Sequence, residues 1–174
     1  MPRPIRCRSR SENPAQRVFE TLTNQAYLEA RQAELGGQGA ALLRFEAAGS
    51  PVESAEYSLR QGVGREHLPT VLRKALSGDL VIERTETWRR TAAGSYEGTI
   101  AVVVSGAPGR IYGTQRLVDL DDIGGGRPGS EFTLDGEAHV KIPLIGGKVE
   151  AVIAEEVEKI VGKEVGFTLR WLAE

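Results

Sequence analysis

The sequence predicts an α+β fold: a curved antiparallel sheet of about seven strands wrapped around one long C-terminal helix, with two short helices after the first strand. Three observations predict it. The middle of the chain alternates apolar and polar residues with period two. Glycine- and proline-bearing turn signals separate these runs at short intervals, as in an antiparallel meander rather than a parallel sheet. The stretch from Leu144 to Trp171 carries a helical period with no internal proline, and would extend about 40 Å at 1.5 Å per residue. A half-wet sheet must bury its dry face, and this helix is the only element long enough to cover it.

The elements follow in order. "RPIRCRSRSE" is a first strand, with Arg6, Arg8 and Arg10 alternating with Ile5, Cys7 and Ser9. "NPAQRVFETLTN" starts a helix, with Asn13 as N-cap, Pro14 at the first helical position and Gln16 placed for a capping box. A second helix, about Gln25 to Leu35, stops at Gly36-Gly37. Ala41, Leu43, Phe45 and Ala47 share one face of the next strand, and Ala55, Tyr57 and Leu59 one face of its successor. "REHLPTVLRKALSG" is helix-like or irregular, with Pro69 near its start and Gly78 at its end. Then Leu80, Ile82, Arg84, Glu86 and Trp88 fall together, as do Tyr96, Gly98, Ile100, Val102 and Val104. Ile111, Gly113, Gln115 and Leu117 form a weaker candidate face. In the clearest strand, Phe132, Leu134, Gly136, Ala138, Val140 and Ile142 alternate with polar neighbours. Turns are marked at 48 to 51, 92 to 94 and 106 to 109, and "DDIGGGRPGS" is a loop between the last two strands. That loop lacks the Lys-Ser/Thr of a P-loop and no helix follows it, so it is not a phosphate site.

Composition narrows the function. A chain of 174 residues, 40% hydrophobic and 26% charged, is expected to form a single domain over 1–174 with a substantial core. A net charge of −2 gives no general attraction to nucleic acid or to anionic membranes. No apolar run approaches the roughly 18 residues of a membrane span, and no signal-peptide core follows the basic N-terminus. A soluble, cytoplasmic protein is expected, without stable membrane insertion. The lone Cys7 excludes an internal disulfide. Its arginine neighbours could lower its pKa, but a half-buried structural thiol is the simpler reading. With only His67, His139 and Cys7 available, no His/Cys metal site is expected.

This element order resembles the START-like (SRPBCC, helix-grip) superfamily, shared with the birch-pollen allergen, steroid-transfer domains and aromatase/cyclases, over nearly the whole chain. "NPAQRVFETLTNQAYLEARQAELGG", "VKIPLIGGKVEAVI" and "WLAE" resemble an actinobacterial branch known only as a domain of unknown function. The resemblance implies a hydrophobic cavity between sheet and long helix. It implies no particular chemistry, because the fold hosts carriers, receptors, cyclases and partner-binding regulators.

Placing successive helical residues about 100° apart, Ile145, Val149, Val152, Ile153, Val157, Ile160, Phe167 and Trp171 cluster on one side of the tail helix. Glu156 falls near the centre of that stripe and Glu164 within it, with Lys163 at its edge. A carboxylate in a dry core is costly unless paired. Each glutamate is therefore expected at a pocket mouth, or paired with Arg84, Lys163 or a strand residue, or serving as a polar anchor within a cavity. The inward faces add Tyr57, Trp88, Tyr96 and Gln115, with Arg84 and Glu86: aromatic walls with a few polar groups, as a small-molecule pocket needs. Gly98, Gly113 and Gly136 on those faces either leave room for a ligand or permit strong bending. His67 in "REHLP" is placed near a cavity entrance and His139 on the wet face. "LIGGKVE" is read as a sharp turn into the helix rather than an anion site, and Gly162 and Gly166 on its outer side are expected to fray or bend it. No catalytic residue and no cofactor is assigned, since no partnered nucleophile or Gly-x-Ser-x-Gly elbow is present. The expected function is a binder or carrier of a hydrophobic small molecule, lipid-like or polyketide-like, through Tyr57, Trp88, Tyr96, Gln115, Glu156 and Glu164. The alternatives are a cyclase/dehydratase using a cavity Glu, Tyr or Arg, and a partner-binding module with a filled cavity.

Overall fold

In the computed structural model, which describes residues 2–105 and 108–174, the period-two runs become the strands of one antiparallel sheet. The order is β1 (Arg3–Ser11), α1 (Ala15–Leu22), α2 (Gln25–Leu35), β2 (Ala41–Ala48), β3 (Ser54–Val63), a 3-10 turn (Arg65–His67), α3 (Thr70–Ala75), β4 (Leu80–Ala92), β5 (Ser95–Ser105), β6 (Gly109–Leu120), β7 (Gly129–Val140) and α4 (Gly146–Ala173). Each of β3 to β7 pairs with its predecessor, and β1 closes on β7, giving the order β1-β7-β6-β5-β4-β3-β2. The curved sheet and its long terminal helix are those the sequence predicts. Gly106 and Ala107 of the predicted turn at 106 to 109 lie outside the described residues.

Period two survives wherever the register is regular. Ala55, Tyr57 and Leu59 are buried on β3, and Leu80, Arg84, Glu86 and Trp88 on β4. In β2 it does not. A bulge between Leu42 and Arg44 adds a residue to one strand. Leu42 and Phe45 therefore pack on the core, while Leu43, expected inward, is exposed.

The start of α1 also differs from expectation. Asn13 is not its N-cap. Pro14 holds that position without a side-chain cap, and the Asn13 amide bonds Ser11 instead. The orphan N–H of Ala15 donates to Asp119 Oδ1 at 2.6 Å, so a carboxylate from β6 does the work of a local cap. Gln16 bonds Glu20 rather than closing a capping box. α2 matches its predicted bounds and has a side-chain cap from Asn24.

Helix α4 packs chiefly against β1 and β7. Along its length it joins three apolar clusters: Val149 with Leu72 and Leu80, Ala154 and Val161 with Ile5 and Leu134, and Phe167 and Leu172 with Tyr27 and Trp88. Its buried face carries Val149, Glu150, Ala154, Val161, Glu164, Phe167, Thr168 and Leu172. That face is turned away from the stripe expected around Glu156, so Ile145 and Trp171 are partly exposed. The unforeseen Glu150 is buried because its carboxylate accepts the Val140 N–H at 2.8 Å, tying the helix start to the end of β7. The turn into α4 is made by Leu144, at φ 69, rather than by the glycine pair. The helix runs unbroken through Gly162 and Gly166, without the expected fraying.

Gly98, Gly113 and Gly136 owe their identity to close backbone approach. A Cβ on Gly98 would collide with Thr87 O, and one on Gly113 would lie 2.9 Å from Asp135 O. Gly113 and Gly136 face each other across β6 and β7. These are the positions at which a sheet can bend tightly.

Candidate functional site

Alternation on β4 sends Arg84 and Glu86, two residues apart, to the same inward face. There they meet Glu164 from α4 and Arg31 from α2. The four side chains are nearly inaccessible, at 4%, 6%, 8% and 3% exposed, and balance two positive charges against two negative ones. Arg84 Nη2 donates to Glu164 Oε1 at 2.9 Å. Arg84 Nε lies 2.9 Å from Glu86 Oε1, yet its N–H is not aimed at that oxygen and makes no hydrogen bond. Arg31 stands farther off, with Nη1 4.0 Å from Glu164 Oε2 and Nη2 4.0 Å from Glu86 Oε1.

Neutral groups complete the cluster. Glu86 Oε2 accepts from the Tyr57 hydroxyl at 2.9 Å and from Gln115 Nε2 at 3.1 Å. Glu164 Oε1 accepts from Gln61 Nε2 at 3.4 Å. Thr168 donates to the Glu164 carbonyl oxygen and shares a 2.5 Å hydrogen bond with the Tyr27 hydroxyl. The Tyr27 ring lies 5.6 Å from the Arg31 guanidinium.

Burial and pairing oppose each other here. Burial alone would raise the pKa of Glu164, but the cations of Arg31 and Arg84 outweigh it and hold the carboxyl below its ordinary value. Burial would lower both arginines, and the carboxylates, Glu164 foremost, lift them above theirs. Burial, reinforced by Glu86, pushes Tyr57 well above the usual phenol value. Glu164, Arg31 and Arg84 are thus ionised at neutral pH, with Tyr57 protonated.

Two spaces flank it. A small chamber of about 70 Å3 is bordered by Arg31, Arg84, Glu86, Gln115, Glu164 and Trp88, together with aliphatic residues, Phe132 and the polar side chains of Ser9, Arg10, Ser11, Ser130 and Thr168. A larger cavity of about 480 Å3 lies between α3, the facing side of α4 and strands β3 to β7. Its walls are mainly Leu, Ile and Val. Its exposed lining residues, Gly37, Gln38, Glu66, His67, Arg110 and Lys163, and the partly buried Glu156 mark its mouth. Arg84, Ile100, Leu134 and Val161 border both spaces, so a single layer of side chains divides them.

The six residues singled out from sequence are distributed among three environments. Trp88, Gln115 and Glu164 border the small chamber. Glu156 stands at the mouth of the large cavity, its carboxylate 2.8 Å from Lys159. Tyr57 borders neither space and stands behind Glu86. Tyr96 also borders neither, being stacked on Phe19 with ring centroids 4.1 Å apart. His67 reaches the mouth as expected, and His139 is bonded to Glu137 on the outer face. Cys7 is half-buried, as expected of a structural thiol, and burial, then Glu158 and Asp135, raise its thiol to about 11 in spite of the neighbouring arginines.

Sequence reasoning missed Arg31. Its signal was present, because Tyr27, Leu28, Arg31 and Leu35 form a stripe on α2 in which an arginine interrupts apolar positions. Among the described residues no three His, Cys, Asp or Glu side chains are grouped to hold a metal ion. No helix among them is long and apolar enough to cross a membrane.

Comparison with known proteins places the architecture. A family model described as a protein of unknown function (DUF2505) matches residues 7–172. An uncharacterised Mycobacterium tuberculosis protein, Rv0481c, is 30% identical over 174 residues, spanning 99% of this chain and 98% of its own. Among solved structures, a conserved protein from Geobacillus kaustophilus superposes with a TM-score of 0.54 at 12% identity, covering 98% of this chain and 95% of its own. A START superfamily protein from Mycobacterium smegmatis gives 0.51 at 13% identity, covering 97% and 98%. At such identities the two structures speak for the fold alone.

Proposed function

The chain belongs to the DUF2505 family and has a START-like fold, and on that premise we propose that it binds or carries a hydrophobic small molecule, lipid-like or polyketide-like, between sheet and terminal helix. The observation that carries this reading is the 480 Å3 cavity. Its volume falls within the 300–1,000 Å3 range common to small-molecule sites, and aliphatic walls with a polar mouth suit an apolar guest. A guest burying about 300 Å2 of apolar surface would gain roughly 7 kcal/mol, enough for micromolar binding before the entropy of association is counted.

The mechanism is sequestration: the walls exclude water, Glu156, Lys163 and His67 flank entry, and the ionic cluster fixes the inner end. Trp88, Gln115 and Glu164 are proposed contacts there, with Tyr57 holding Glu86 in place and Tyr96 supporting the core. Cyclase or dehydratase chemistry is less well supported: the arginines hold Glu164 ionised, which unsuits it for the role of general acid and leaves it only that of a base. Cytoplasmic location is part of the proposal. Native mass spectrometry of protein purified from its own host, over several growth conditions, tests it. A bound apolar small molecule is expected; empty protein throughout would contradict it.

A further inference from the structure

Among the described residues, four buried side-chain polar atoms have no hydrogen-bond partner: Arg31 Nε, Arg31 Nη2, Arg84 Nε and Trp88 Nε1. All four are donors. All three residues border the small chamber. Buried polar groups are normally satisfied, and leaving one unpaired is costly. A donor-only deficit around a void of about 70 Å3 specifies what belongs there: an oxygen that accepts.

Charge narrows the choice. Arg31 and Arg84 are already balanced by Glu86 and Glu164, so a third carboxylate would leave a buried net negative charge beside two existing ones. A neutral acceptor brings no such penalty. Tyr57 and Gln115 are committed to Glu86 Oε2, whereas the arginine N–H groups and the Trp88 indole N–H remain available to a guest. Arg84 stands in the side-chain layer between the two spaces, so the head of a guest whose body fills the 480 Å3 cavity reaches the smaller chamber when that layer shifts.

We infer that the chamber is a subsite for the neutral carbonyl oxygen of a ketone- or ester-bearing ligand, with Arg31 and Arg84 as donors and Trp88 assisting. This rests on the proposed apolar cavity and adds the class of head group it selects. The ionic cluster then has a positioning role, in which Glu86 and Glu164 hold the two guanidinium groups so that unpaired N–H groups remain for the guest.

Three probes of equal chain length, methyl nonyl ketone, undecane and undecanoate, compete against Nile red on the full chain. The ketone is expected to bind about tenfold more tightly than the alkane, the effect of one good hydrogen bond from a charged donor, and more tightly than the carboxylate. Isotope-edited infrared spectra should show the bound ketone carbonyl at lower frequency than in hexane. Arg31→Gln/Glu164→Gln removes one charge of each sign and should erase the frequency shift and the ketone preference, so that ketone and alkane bind alike. Trp88→Phe keeps every charge and should reduce both partially, so the test survives if the double variant fails to fold. Equal binding of ketone and alkane overturns this inference and leaves the apolar cavity intact. Tightest binding of undecanoate overturns the neutral-head assignment. A crystal structure with only water in the chamber and the ketone oxygen elsewhere also overturns it. Binding of none of the three overturns both this inference and the function it rests on.

Discussion

Replacing Glu164 by Gln changes one buried charge and almost no volume, which isolates the electrostatic role of the cluster. In the native chain its carboxylate lies 2.9 Å from Arg84 and 4.0 Å from Arg31 at 8% exposure. The variant leaves two buried guanidinium groups facing Glu86 alone. Breaking a buried pair by removing one partner costs about 3–5 kcal/mol, which lowers the melting temperature of a chain this size by roughly 10 °C. Urea unfolding followed by far-ultraviolet circular dichroism at pH 7 measures the loss. Arg31→Met/Glu164→Gln restores the balance and should recover more than half of it. The pH dependence supplies an internal check. Burial works to raise the Glu164 pKa, but Arg31 and Arg84 depress it below 4.5. Its contribution is therefore complete above that ordinary value and disappears as pH falls through the depressed folded value. The native protein should lose stability over that acid window more steeply than the variant. A single variant within 1 kcal/mol of the native protein, with an unchanged acid limb, would refute the buried-pair reasoning.

Other substitutions probe the surroundings. Glu156→Gln removes only a solvent-facing pair with Lys159 at the cavity mouth, so the melting temperature should move by no more than about 1 °C; a large drop would mean that Glu156 is structural. Asp119→Ala deletes the acceptor of the Ala15 N–H and should cost about 1 kcal/mol in urea unfolding, as loss of a helix cap does; no change would remove Asp119 from that role. The Cys7 thiol, raised to about 11, should react with iodoacetamide at pH 8 on the order of a hundredfold more slowly in the folded than in the unfolded chain. Equal rates would show that burial does not protect it.

The alternation in β3 to β7 was legible because each strand keeps one wet and one dry face, and the helix boundaries at Gln25 and Leu35 because propensity and stop signal agree there. The β2 register was not, since a bulge leaves no mark in a period-two pattern until the partner strand is known. The face of α4 was misread for a related reason. Apolar periodicity assigned both cavity-facing and core-facing residues to a single stripe, and could not know that Glu150 would find the Val140 amide or that Ala154 would pack on the core. Arg84, Glu86 and Glu164 were visible as charges on inward faces. Their convergence with Arg31 depends on α2, β4 and α4 meeting in three dimensions, which local sequence does not encode.

Binding of an apolar guest requires that apolar space stay open beside α4. Crystals of the full chain held under xenon pressure test this most directly, because xenon enters dry apolar cavities and leaves filled ones alone. An open cavity predicts ordered xenon among Leu72, Ile82, Val102, Ile153 and Val157. Side chains of α3 and α4 closed over that region, with no xenon peak between them, would contradict it.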